Sequence, residues 1–124
     1  MTVRDWLQRH PLLYLWLPVV AWMGLIFWLS AQPYLPNPGE GWTAKLISMA
    51  AHAFMFGVLA ALFARALGEL RHVRYIALVL TLLYALSDEF HQAFVPGRHP
   101  DAWDLLFDTG GAVLALLVWG RLQQ

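Results

Sequence analysis

Four stretches of this sequence are close to the length at which an apolar helix crosses a bilayer, and they constrain the fold more than any other feature. A helix needs about 20 mostly apolar residues to span a hydrocarbon core of about 30 Å. The stretches run from about Pro11 to Ser30, from Thr43 to Ala66, from Tyr75 through His91, and from Asp101 to Arg121. We therefore predict an all-α fold, a polytopic membrane bundle of about four transmembrane helices in a single domain over residues 1–124.

The composition agrees with a membrane protein. Only 13% of the residues are charged and 60% are hydrophobic, whereas a soluble domain carries about 25% charged residues. Eight basic and eight acidic side chains cancel, so the chain lacks the basic surface that nucleic-acid binding requires. The absence of Cys excludes disulfides, thiolate metal sites and cysteine nucleophiles.

Two parts of this arrangement have an alternative. Arg4 and Arg9 precede the first apolar run as in a signal peptide, but the run from Leu12 to Leu29 exceeds the 7 to 15 residues that are typical of a signal-peptide core. The uncharged stretch from Tyr75 to Ser87 is short for a span, so the last two helices could instead form a re-entrant pair. We favour a transmembrane hairpin that turns at Val95–Pro100.

The basic residues predict the orientation of the helices in the membrane, because Lys and Arg are enriched in the cytoplasmic flanks of transmembrane helices. Only Lys45 and Arg98 fall at one end of a four-helix arrangement. The other end holds Arg4, Arg9, Arg65, Arg71, Arg74 and Arg121. We therefore expect both termini in the cytoplasm, with the proline-rich loop over residues 32–39 and the turn over residues 95–100 on the outer side.

Polar residues lie within the predicted spans, where a charged side chain costs about 2.5 to 3.5 kcal/mol and is expected to face a partner or a cavity. Asp88, His91 and Gln92 share one face of the third helix by their spacing of three and four residues. On the fourth helix, Asp104 and Asp108 lie on one stripe, which Asp101 begins.

A histidine of the second helix lies at a depth similar to that of these polar residues. At 1.5 Å per residue, His52 lies about 10 Å beyond Lys45, a depth similar to that of Asp108. We predict that the outer ends of the last three helices form one site, with Arg98 at its rim. Its other members are His52, Asp88, Glu89, His91, Gln92, Asp104 and Asp108.

The predicted roles follow from the chemistry of these groups. A His beside carboxylates can supply a general acid and base, so the predicted catalytic residues are His52, Glu89, Asp104 and Asp108. Arg98 can grip a phosphate or carboxylate, and the predicted substrate-binding residues are Asp88, His91, Gln92 and Arg98. Because adjacent residues cannot share a face, Glu89 rather than Asp88 is predicted to point inward.

Each role has a structural alternative. His52 could donate to a neighbouring helix as packing support, Asp104 and Asp108 could stabilise a helix N-terminus, and Arg98 could be an interface residue. His52, His91 and the carboxylates could alternatively bind a divalent metal that activates water. Their spacing matches no metal motif, so no metal site is predicted, and the sequence leaves any cofactor unknown.

The run from Ser87 to Arg98, followed by Asp104, Asp108 and Gly111, closely resembles the signature of the VanZ-like membrane proteins. His52 with Phe56 and Leu59 is similar to the upstream His motif of that family, and the segment Leu29-Ser30-Ala31-Gln32 resembles the end of its first helix. One departure is Met55, since many relatives have an acidic residue three positions after the upstream His.

The resemblance implies a small bacterial inner-membrane protein that acts at the cell envelope. It also implies a link to glycopeptide antibiotic resistance, because founding members of the family are associated with low-level teicoplanin resistance.

Three functions remain open at the level of sequence. The first is a membrane-embedded enzyme that acts on a lipid or glycolipid headgroup, and the second is a non-catalytic binder or transporter of amphiphilic envelope lipids or lipoglycopeptides. The third is a purely structural polar network. The expected partners are membrane lipids and an amphiphilic or lipid-linked ligand, with a homodimer as a further expectation.

Overall fold

The computed structural model describes residues 1–35 and 39–124. All regular secondary structure in these residues is helical, which confirms the all-α prediction for the described part of the chain. The helices are α1 (Val3–Arg9), α2 (Pro11–Ser30), α3 (Gly41–Leu67), α4 (Val73–Gln92) and α5 (Ala102–Leu122). The centre of the predicted proline-rich loop, at Pro36, Asn37 and Pro38, lies outside the described residues.

Three helices are long and apolar enough to cross a membrane. They are α2, α3 and α5, with mean hydropathies of 2.0, 2.0 and 1.5 over their most apolar windows. Helix α4 also has 20 residues but ends in the polar sequence Ser-Asp-Glu-Phe-His-Gln, which lowers its mean hydropathy. These three candidate spans indicate a multi-pass membrane protein, and the predicted number of about four transmembrane helices is not confirmed.

Helix α1 was not predicted as an element, because its seven residues are mostly polar and too short for a periodic pattern. It begins with a capping box in which the Asp5 backbone N–H donates to Thr2 Oγ1 at 3.1 Å and the Thr2 backbone N–H donates to Asp5 Oδ2 at 2.9 Å. Hydrogen bonds from the Thr2 hydroxyl and backbone lower the pKa of the Asp5 carboxyl below its usual value.

Helices α3 and α5 make the most extensive contact in the bundle, and glycine permits it. A Cβ atom added to Gly111 would lie 2.0 Å from the carbonyl oxygen of Ala53, and one added to Gly57 would lie 3.0 Å from the carbonyl oxygen of Gly111. The two backbones therefore touch, as small residues allow between membrane helices. His52 precedes Ala53 and Asp108 lies one turn before Gly111, so this contact brings those two side chains within reach of each other.

Helix α2 contains an internal proline whose missing donor is replaced from another helix. Pro18 has no N–H, so the carbonyl of Tyr14, four residues earlier, loses its helical partner. Arg65 of α3 lies at this carbonyl, with Nη1 3.4 Å from Tyr14 O, and its guanidinium lies 4.5 Å from the centre of the Tyr14 ring. The carbonyl that Pro18 leaves without a helical donor in α2 thus has a donor from α3.

Two further side chains attach α2 to its neighbours. Trp22 Nε1 donates to the carbonyl of Met55 on α3 at 2.8 Å, and the Tyr84 hydroxyl of α4 donates to the carbonyl of Met23. Around this centre the outward faces are apolar, as at Val20, which is 62% exposed. A surface of this kind suits contact with lipid rather than water.

Candidate functional site

A buried histidine–carboxylate pair lies at the contact of α3 and α5. His52 Nδ1 is 2.8 Å from Asp108 Oδ1, and Asp108 is only 1% exposed. On the other side of the ring, His52 Nε2 is 3.6 Å from Asp104 Oδ2, beyond hydrogen-bond distance but close enough for a strong electrostatic interaction. The imidazole therefore lies between two carboxylates that are one turn apart on α5.

This arrangement prepares His52 for proton transfer. A carboxylate at Nδ1 fixes the ring orientation, places the proton on Nδ1 in the neutral imidazole, and makes the opposite nitrogen more basic. Asp104 stabilises the protonated imidazolium by its charge. His52 can thus accept a proton and return it, as a general base and acid require.

A second polar group joins α4 to the end of α2. Gln92 Nε2 donates to Asp88 Oδ2 at 3.1 Å and lies 3.4 Å from Ser30 Oγ. All three side chains are at least 95% buried. Burial of polar groups requires such partners, so this network fixes the orientation of Asp88 and Gln92.

Both groups meet at a half-open cavity of about 260 Å³ that is lined by α2, α3, α4 and residues of the segments before α3 and α5. Apolar side chains that include Ile26, Met55 and Phe56 form one part of its wall. The polar part consists of Ser30, Ser48, His52, Asp88, Gln92 and Arg98. A cavity with both kinds of wall is suited to an amphiphilic ligand.

Glu89 and His91 lie away from this cavity. Glu89 Oε2 accepts a hydrogen bond from the backbone N–H of Asp101 at 3.0 Å, and this bond joins the end of α4 to the start of α5. His91 stacks on Phe27 of α2, with ring centres 4.3 Å apart. Glu89 Oε1 and His91 Nδ1 are buried without a hydrogen-bond partner among the described residues.

The family model described as VanZ/LLP1 matches residues 15–123. The chain belongs to this family. No curated protein and no solved structure matches the chain. The matched region of the VanZ/LLP1 chain contains α3, α4, α5 and all but four residues of α2, and so includes every residue of the cavity.

The structure brings six of the eight predicted site residues of this VanZ/LLP1 chain around the cavity or directly behind its histidine. Those at the cavity are His52, Asp88, Gln92 and Arg98, and those behind the histidine are Asp104 and Asp108. Glu89 instead lies between the end of α4 and the start of α5, and His91 lies between α4 and α2. Their proposed catalytic and binding roles stay predictions, as do those of the other six.

Two polar cavity residues were missing from the predicted site. Ser30 is the last residue of α2, and Ser48 lies four residues before His52 on α3. The i, i+4 spacing of Ser48 and His52, which places them on one helix face, could have identified Ser48. A single serine is ordinary in an apolar helix, so the sequence gives no comparable signal for Ser30.

Met55, at which the sequence departs from the family resemblance described above, contributes to the apolar wall of the cavity. Its carbonyl accepts the Trp22 hydrogen bond. Among the described residues, no group of three or more His, Cys, Asp or Glu side chains is placed to hold a metal ion.

Proposed function

We propose that this VanZ/LLP1 protein is a membrane-embedded enzyme that uses His52 as general base and acid on the headgroup of an amphiphilic envelope molecule. The observation that carries the proposal is the 2.8 Å contact between His52 Nδ1 and the buried carboxylate of Asp108, at the wall of a cavity that is part polar and part apolar. Such a pair in a site of low dielectric constant is suited to proton transfer.

In this proposal Asp108 orients the imidazole, and Asp104 stabilises its protonated form. His52 takes a proton from water or a hydroxyl of the headgroup as that oxygen bonds to the phosphorus or acyl carbon of an ester in the headgroup. It returns the proton to the ester oxygen as the bond from that centre to the ester oxygen breaks. Arg98 at the cavity holds an anionic part of the headgroup, as a guanidinium does with phosphate. Glu89 remains a proposed second acid or base through its unpartnered Oε1 atom.

We also propose that α4 is a fourth transmembrane helix and that the site faces the outer side of the bacterial inner membrane, with both termini in the cytoplasm. Two observations support a fourth span. The polar residues Asp88 and Gln92 are turned into the bundle and buried, whereas Val79 and Leu83 on α4 are apolar and more than half exposed. The excess of arginine at the opposite end of the bundle supports the orientation.

A non-catalytic binder or transporter of amphiphilic envelope molecules is the second candidate. The amide of Gln92 contacts both Asp88 and Ser30, which gives the cavity a fixed polar wall that needs no proton transfer to recognise a headgroup. Lipids and lipoglycopeptides such as teicoplanin are ligands of this class.

One experiment separates the two candidates. The purified protein in bilayers is incubated with total bacterial envelope lipids, with and without divalent metal, and the lipids are followed by mass spectrometry. We expect a new lipid product from the unaltered protein, formed about 10² to 10⁴ times more slowly by Asp108→Asn, with Glu89→Gln tested beside it. One lipid that is retained unchanged, with no product, would favour the binder.

A further inference from the structure

We infer that the cavity recognises a zwitterionic headgroup, with the anionic group of the ligand at Arg98 and a primary ammonium at Asp88. This inference rests on the proposed function, because it names the ligand class of the same cavity. The shared chemistry is a primary ammonium and a phosphate within one small polar group, whether it belongs to a lipid or to a free molecule.

Arg98 is available for an anion. Its side chain lines the cavity, and its Nε atom is buried without a hydrogen-bond partner among the described residues. None of the salt bridges within the described part of the chain involves this guanidinium. Guanidinium groups bind phosphate and carboxylate through parallel N–H donors, so an anionic ligand group would complete the bonding of Arg98.

Asp88 is available for a cation. It lines the same cavity and is 95% buried, and in the described part of the chain no Lys or Arg forms a salt bridge with it. Its hydrogen-bonding neighbours, Gln92 at Oδ2 and the hydroxyl of Ser30, are both neutral. A buried carboxylate without a cation is costly, and an ammonium group brings both positive charge and three N–H donors.

The two charges together select the ligand class. A purely anionic headgroup would pair with Arg98 and leave Asp88 without a cation, and a purely cationic one would do the reverse. The cavity volume of about 260 Å³ lies just below the range of about 300 to 1,000 Å³ that is usual for small-molecule sites. It therefore suits a headgroup, with the apolar chain along the membrane-facing surface outside.

The test uses the full chain and three phospholipids with identical acyl chains. Phosphatidylethanolamine has a phosphate and a primary ammonium, phosphatidylglycerol lacks the ammonium, and phosphatidylcholine has a quaternary ammonium without N–H donors. The lipids are offered in equal amounts, and those that stay bound are counted by native mass spectrometry. We expect at least tenfold preference for phosphatidylethanolamine, lost in Asp88→Asn and kept in Asp5→Asn, while Arg98→Gln weakens binding of all three.

A competition with the unaltered protein keeps the test independent of how the variants fold. Displacement of bound lipid by soluble phosphoethanolamine but not by glycerol phosphate supports the inference, and equal displacement by both overturns it. Equal retention of phosphatidylglycerol and phosphatidylethanolamine also overturns the inference but leaves the proposed function intact. Retention of no lipid and formation of no product overturns both. Binding of phosphoethanolamine in the absence of lipid supports the inference and identifies a free zwitterion as the ligand.

Discussion

At the scale of residues, the site depends on two aspartates of α5 that contact one histidine of α3. Asp104 and Asp108 are one turn apart, so both carboxylates face the same ring, but they differ in distance and burial. Asp108 makes the 2.8 Å contact and is almost fully buried, whereas Asp104 lies at 3.6 Å and its side chain is 20% exposed. We therefore assign the orientation of His52 to Asp108 and a weaker electrostatic role to Asp104.

The ranking of these two aspartates is a testable consequence. We expect Asp108→Asn to slow conversion of the lipid far more than Asp104→Asn, whose effect should be about tenfold, since the Asp104 charge lies further from the ring and is less buried, and so is more screened. The rate of product formation in bilayers, with Asp5→Asn as a control far from the site, measures both. A larger loss in Asp104→Asn than in Asp108→Asn would contradict this assignment.

At the scale of elements, the alignment of His52 with Asp108 depends on the glycine contact between α3 and α5. A methyl group at Gly111 would overlap the Ala53 carbonyl, whereas one at neighbouring Gly110 meets no atom within 4 Å. We expect Gly111→Ala to lower the free energy of unfolding by about 1 to 3 kcal/mol or more, and Gly110→Ala to change it by less than about 0.5 kcal/mol. Equal effects of the two substitutions on unfolding in detergent micelles would show that this contact does not control the packing.

Pro18 and Arg65 give a second prediction at this scale. Arg65→Leu removes the donor to the Tyr14 carbonyl, which should cost about 0.6 to 2 kcal/mol, as for other hydrogen bonds between membrane helices. In a Pro18→Ala background the new N–H can bond the same carbonyl, so Arg65→Leu should cost less. A double-mutant cycle of unfolding free energies measures how far the cost of Arg65→Leu differs between the two backgrounds. An identical cost in both would show that Arg65 does not replace the donor that Pro18 lacks.

Much of the element structure could be predicted because long apolar runs and proline-rich breaks leave few alternatives. The predicted bounds of α2, about Pro11 to Ser30, agree with those of the structure. The helical rise per residue predicted that His52 lies near the depth of Asp108. The prediction that Glu89 rather than Asp88 points inward was wrong, because Asp88 is buried and lines the cavity. The partner of Glu89 is a backbone N–H at the start of α5, whose position depends on the turn between two helices. Neither composition nor periodicity contains that information.

At the scale of the whole molecule, the arginine-rich end and the cavity end lie at opposite ends of the bundle. Arg65 contacts Tyr14 near the start of α2, and Arg74 lies against Gly120 near the end of α5. The cavity instead contains Ser30, from the end of α2. The helices therefore alternate in direction, which fits four crossings with the cavity on the outer side.

Single cysteines can test this topology because the chain has no native Cys. We expect His99→Cys to react with a membrane-impermeant maleimide in intact spheroplasts, and Glu69→Cys and Gln124→Cys to react only after permeabilisation. Expression level and labelling in detergent serve as controls. Reaction of Glu69→Cys and His99→Cys from the same side would show that α4 does not cross the membrane.

The most direct measurement of the central claim is ¹⁵N NMR of histidine-labelled protein in bilayers, with His52→Gln used to assign His52 among the five histidines. The contact between His52 and Asp108 predicts a strongly hydrogen-bonded Nδ1 proton on His52 that is lost in Asp108→Asn. We also expect the His52 signals to shift when envelope lipid is added. Signals of His52 that respond neither to Asp108→Asn nor to envelope lipid would contradict a lipid-facing acid–base site.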